Sequence, residues 1–127
     1  MSVFDPKNTY TPMTASPRPW ADIEAFYVSL TESAFDQQPM VDLVRHIRST
    51  YAEGRLHAIT SMRTMIVSVN NPIELNRENL RIDYSFDDRT WTFSYFSKPF
   101  KPAEFTRRHA APLGIGKFDR FIENIRW

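Results

Sequence analysis

The chain contains no cysteine, which removes disulfide staples, thiolate nucleophiles and thiolate metal sites together. Its soft ligands are three separated histidines, His46, His57 and His109, none with a second ligand at i+3 or i+4, so neither a metal nor another cofactor is expected. Glycine is scarce, at 3 residues. The pair Gly114 and Gly116 lacks the third glycine and the preceding strand of a phosphate-binding loop, and Lys117 follows without the rest of that motif; the two glycines are read as loosening a turn into the last helix. No run approaches the ~18 apolar residues of a membrane span, and Met1 to Lys7 lacks the charged start and apolar run of a signal peptide. The expectation is a cytoplasmic protein with no membrane partner. An excess of one charge is also missing: 16 Lys and Arg face 15 Asp and Glu, a net +1, which argues against nucleic acid as a general partner.

What is present is a globular composition, 42% hydrophobic and 14% aromatic over 127 residues, the size of one domain. Charge is uneven along it. Residues 1–97 carry 9 Lys and Arg against 12 Asp and Glu, whereas residues 98–127 carry 7 against 3. Pro6, Pro12, Pro17 and Pro19 predict an extended arm over residues 1–18, ahead of a globular core over 19–127. The arm reads as a mobile tail; docking on a sheet edge would use Phe4, Tyr10 and Met13.

The core reads as α+β, with an N-terminal helical hairpin, a small antiparallel sheet and a C-terminal helix. Pro19 suits a first helical turn, and Trp20, Ile23, Phe26, Tyr27 and Leu30 follow at helical spacing. Met40, Leu43, Val44, Ile47 and Tyr51 mark the buried stripe of a second helix, begun near Pro39 and stopped by Gly54. Beyond Gly54 the pattern turns to strand, at Leu56 to Ile59 and at Thr64 to Val69, with Ile73 to Asn79 as a connection. The strongest local signal is a β-hairpin: Leu80, Ile82, Tyr84 and Phe86 alternate with polar residues, Asp87 to Arg89 turn, and Trp91, Phe93 and Tyr95 return. Pro99, Pro102 and Pro112 bracket an irregular stretch. A terminal helix then carries Phe118, Phe121, Ile122 and Ile125 towards Trp127. Tyr84, Phe86, Trp91, Phe93, Phe118, Phe121 and Trp127 are predicted to build the core.

Few residues suggest chemistry. Arg107, Arg108 and His109 place two phosphate-binding cations beside a potential general base, the pattern of a nucleic-acid-binding protein or small nuclease, with His57 as a possible second imidazole. Asp83, Asp87 and Asp88 lie on or beside the hairpin turn, where aspartates bond their own backbone; they lack the alternating oxygen ligands of a calcium loop. No catalytic residue is assigned, and a non-enzymatic role in binding another protein, or as a structural or adaptor domain, is expected.

Thr60-Ser61-Met62 before an apolar strand, Leu80-Arg81-Ile82, Trp91-Thr92-Phe93-Ser94-Tyr95 and Phe118-Asp119-Arg120-Phe121-Ile122 up to Trp127 together resemble small bacterial immunity proteins of contact-dependent or secretion-delivered toxin systems. The resemblance covers residues 56–127 and rests mainly on packing positions. It implies a protein that neutralises a cognate toxin by occlusion. The acidic set Glu74, Glu78, Asp83, Asp87 and Asp88 would then face a basic toxin groove, with the Asp83–Asp88 hairpin leading. Alternatively, the cations from Lys98 to Lys117 would face an acidic toxin.

Overall fold

Pro19 ends an extended segment and opens a helix, its carbonyl accepting from the N–H groups of Asp22 and Ile23, because a fixed φ and a missing N–H cost nothing there. The computed structural model describes residues 11–33 and 35–127. Helix α1 (Trp20–Ser33) and helix α2 (Gln38–Thr50) form the expected αα-hairpin. The Asp36 carboxylate accepts from the Gln38 N–H at 3.1 Å, which satisfies one of the free amides at the start of α2. Gly54 does not stop α2. The helix ends at Thr50, Tyr51 is extended, and Gly54 takes its left-handed φ of +83° in the turn beyond.

The sheet is an antiparallel meander. Strands β2 (His57–Ser61), β3 (Thr64–Ser68), β5 (Asn79–Ser85), β6 (Thr90–Phe96) and β7 (Phe105–Ala110) lie side by side in that order, while β1 (Thr14–Ala15) pairs with β4 (Ile73–Glu74) in a separate two-stranded ribbon. The predicted hairpin is β5–β6. Leu80 lies opposite Tyr95, Ile82 opposite Phe93 and Tyr84 opposite Trp91, so the apolar alternants share one face. Residues 86–89 turn between the paired Ser85 and Thr90, which leaves Phe86 outside the strand and ring-to-edge against Phe35.

That face packs under the helices. Met65, Val67, Leu80, Ile82, Trp91, Phe93 and Tyr95 form one buried cluster with Ile23 and Tyr27 of α1, Met40, Leu43, Val44 and Ile47 of α2, and Phe118 and Ile122 of helix α3 (Gly114–Ile125). Of the predicted core aromatics, Trp91, Phe93 and Phe118 are buried, while Tyr84, Phe86, Phe121 and Trp127 are half-buried. Trp127 folds back onto Tyr95 and Phe121, held by its own N–H to the Ile122 carbonyl and by Arg55 Nε on its carbonyl oxygen.

Three further expectations change. The bracketed irregular stretch contains β7, so a strand does precede Gly114. Its pattern was hidden because Arg107 and Arg108 break the apolar alternation that marks a half-buried strand. Part of the Ile73 to Asn79 connection is strand β4. The described part of the arm, residues 11–18, is docked through its backbone: the Arg18 N–H bonds the Ala58 carbonyl at 2.9 Å, and the Leu75 N–H bonds the Met13 carbonyl at 2.7 Å. The Met13 side chain is exposed; Phe4 and Tyr10 lie outside the described residues. No described helix is long and apolar enough to cross a membrane.

Candidate functional site

Strand alternation divides the Arg107-Arg108-His109 run between two faces. Arg107 pairs with Phe93 and His109 with Trp91, so both project on the helix-covered side. Arg108 pairs with Thr92 on the other side, where its guanidinium meets Asp88 at 3.3 Å. The two arginines therefore do not act on one phosphate. His57 lies opposite Ser68 on β2, at the far side of the sheet from β7, and does not converge with His109.

Because β7 is the last strand and α3 crosses its flank, a groove of about 310 Å³ opens between them. Its floor is aromatic, with Phe93, Phe105 and Phe121, and its rim carries Arg107, Lys117 and Arg120 around His109. Phe93 and His109 meet ring-to-edge with centroids 5.4 Å apart. The Arg107 guanidinium lies 5.3 Å from the Phe105 ring centre, a cation–π contact that stiffens the rim without neutralising it. Arg107, Lys117 and Arg120 form no salt bridge among the described residues. Lys117 also sits in the first turn of α3, which has no acidic residue to answer the positive end of the helix dipole. Burial, Lys117 and Arg107 together hold the His109 imidazole below its usual pKa. Burial is the largest cause of that shift, and the two cations add to it.

The signal for this site was divided in the sequence between Phe105, Arg107 and His109 at strand spacing and Lys117, Arg120 and Phe121 at helical spacing. Only packing of α3 across β7 brings the two sets together.

The acidic set does not converge. Glu74 is held by Arg77 at 2.6 Å and Glu78 accepts from Asn70 at 2.9 Å, both beside the start of β5. Asp83 accepts from the Thr64 hydroxyl on the outward sheet face. Asp87 and Asp88 lie beyond the other end of β5, about 20 Å along a strand of this length. Asp88 is engaged by Arg108, whereas Asp87 has no hydrogen-bond or ion-pair partner among the described residues.

His46 belongs to a different cluster. Its Nε2 lies 2.8 Å from Asp119, the Tyr51 hydroxyl donates to the same carboxylate, and Thr50 Oγ1 approaches Nδ1 at 3.3 Å. A hydroxyl, an imidazole and a carboxylate in line resemble a nucleophilic triad. Here they sit at the C-terminal end of α2, where free carbonyls oppose a developing oxyanion rather than stabilising it. The cluster ties α2 to α3. Burial and the Asp119 bond raise the Tyr51 phenol pKa well above its usual value, so Tyr51 stays a donor.

A second hollow, about 660 Å³, lies between the docked arm and the end of α2. Its arginines are already engaged, Arg18 with Thr60 and Arg48 with Glu24. No group of three or more His, Asp or Glu side chains among the described residues has the arrangement of a metal site. The chain matches no protein-family model, no curated protein and no solved structure.

Proposed function

We propose that this domain is a non-catalytic binding protein that holds an acidic protein partner in the β7–α3 groove, acting in the cytoplasm as an immunity-type inhibitor by occlusion. The observation that carries the reading is the set of three rim cations without salt-bridge partners, Arg107, Lys117 and Arg120, over an aromatic floor. Unpaired charges held close together repel one another, and a carboxylate-bearing guest relieves that repulsion while the rings bury its apolar part. The resemblance to immunity proteins over residues 56–127 supplies the kind of partner, a toxin whose active surface the domain covers. Of the two surfaces that resemblance left open, the basic C-terminal one is favoured, because its charges converge and the acidic ones are spread along β5 and largely engaged.

Photo-crosslinking tests this. A benzoylphenylalanine placed at Asn124, on the groove wall, is expected to capture one stoichiometric protein in the native host, and Arg107→Glu in the same chain is expected to abolish the adduct. The captured protein, expressed alone, should arrest growth, with wild-type chain restoring it and the Arg107→Glu chain failing to. Adducts formed instead from position 87 would move the interface to the hairpin, and a captured protein that is harmless alone would remove the toxin-inhibitor reading.

A further inference from the structure

We propose that an extended acidic segment of the partner adds to β7 as a sixth strand, laying alternate side chains into the β7–α3 groove. This rests on the groove being the binding face argued above and specifies what enters it.

The two edges of the sheet are treated differently. The β2 edge is covered by the arm: the Arg18 N–H bonds the Ala58 carbonyl at 2.9 Å, and the Arg18 guanidinium reaches Thr60 Oγ1 at 2.7 Å. Pro17 and Pro19 on either side have no N–H with which to recruit a further strand. The β7 edge has no such cover. The Ala111 N–H bonds the Arg89 carbonyl at 3.0 Å, which makes residues 89 and 111 a hydrogen-bonded pair. By the two-residue alternation of antiparallel ladders, the pairs 91/109 and 93/107 are of the same kind. The backbone N–H and C=O groups of Thr106, Arg108 and Ala110 therefore point away from β6. Among the described residues the Ala110 carbonyl is taken by the single 3-10 turn Ala111–Leu113 that it caps, while no backbone group meets the N–H and C=O groups of Thr106 and Arg108 or the Ala110 N–H; the one side-chain contact on that side is Arg107 Nη1 at 3.3 Å from the Thr106 carbonyl.

An edge lying beside a groove is the arrangement in which an added strand gains main-chain bonds from the edge and selectivity from side-chain pockets. Charge chooses the occupant. A second copy pairing through its own β7 would set Arg107 and Arg108 against like charges, which opposes self-association. Carboxylates on the helix-covered side of a guest strand meet Arg107, Lys117 and Arg120, and its small apolar residues on the other side meet Thr106 and Ala110.

The test uses the full chain and a capped peptide alternating glutamate and valine, together with two isomers N-methylated on one or the other alternate set of amides. Saturating peptide is expected to slow hydrogen exchange at the Thr106, Arg108 and Ala110 amides by about tenfold or more, and one isomer, but not the other, to bind about tenfold more weakly. Arg107→Glu is expected to weaken the parent peptide to a similar degree. If both isomers bind as well as the parent and the three amides exchange unchanged, strand addition is overturned while the groove reading stands. Strand addition is likewise overturned if single-stranded oligonucleotide displaces the peptide and both isomers remain equivalent to the parent. If Arg107→Glu leaves the parent peptide's affinity unchanged, the groove reading itself fails.

Discussion

His109 shows how one residue registers its whole neighbourhood. Its imidazole faces Phe93 across the sheet, Arg107 on its own strand, and Lys117 and Arg120 from α3. Burial first, and then Lys117 and Arg107, lower its pKa in the folded protein. The native state thus takes up this proton less readily than the unfolded chain. The stability contributed by the neutral ring is complete above the unfolded pKa and is lost as pH falls towards the lowered folded one. An acidic guest reverses the local preference, because a carboxylate beside the ring favours imidazolium. Binding of the glutamate peptide is therefore expected to take up a proton and to tighten as pH falls from about 7 towards 5, until the guest carboxylates begin to titrate. Calorimetry in two buffers of different ionisation enthalpy measures the proton uptake, and His109→Gln should remove it. Uptake that persists in that variant would assign the proton to the guest.

Among the elements, α3 is placed by a single close approach. A Cβ on Gly114 would lie 2.2 Å from Trp91 Nε1, and that indole N–H donates to the Ala111 carbonyl at 3.0 Å. Glycine is present because the first turn of α3 rests directly on a buried tryptophan, whereas Gly116 faces open space with nothing within 4 Å. Gly114→Ala is expected to destabilise the fold by about 1–3 kcal/mol through overpacking. Gly116→Ala, free of that clash and in a helix, should stabilise by about 0.5–1 kcal/mol. Urea unfolding of the two variants distinguishes them, and equal effects would remove the packing account. The β5–β6 hairpin was legible because its period-two pattern carries its own turn. The end of α2 was not, since Tyr51 leaves the helix to reach Asp119 on α3, a contact 68 residues away that local spacing does not report.

For the whole molecule, a net charge of +1 conceals a separation of sign. Arg107, Arg108, Lys117 and Arg120 lie on β7 and α3, beside Asp119 and Glu123 of α3, while Glu74, Glu78, Asp83, Asp87 and Asp88 lie along and around β5, several of them already engaged. Steering of an acidic partner should therefore depend on the groove and be screened over roughly 8–10 Å at moderate salt. Arg120→Glu is expected to slow association by about tenfold at low ionic strength, with the difference shrinking as salt is added. Asp87→Lys should leave the rate within about twofold of wild type, since Asp87 lies beyond the far end of β5 from the acids at Glu74 and Glu78 and outside the groove. Stopped-flow association measures both; a large effect confined to Asp87→Lys would place the partner on the hairpin.

The sequence by itself determined the fold class, both N-terminal helices, the β5–β6 hairpin and the apolar face of α3, because each is written in a periodicity that needs no distant partner. Tertiary structure alone decided the rest. It made a strand of residues 105–110 by supplying β6 as a template for a charged segment, turned Arg108 away from Arg107 and His109, and spread the acids along β5 so that they form no single patch. It also assembled the groove, since Arg107 and His109 meet Lys117 and Arg120 only where α3, seated on Trp91 through Gly114, crosses the flank of the last strand. Alternation and helical pitch are local rules, whereas convergence of charge depends on which elements pack side by side.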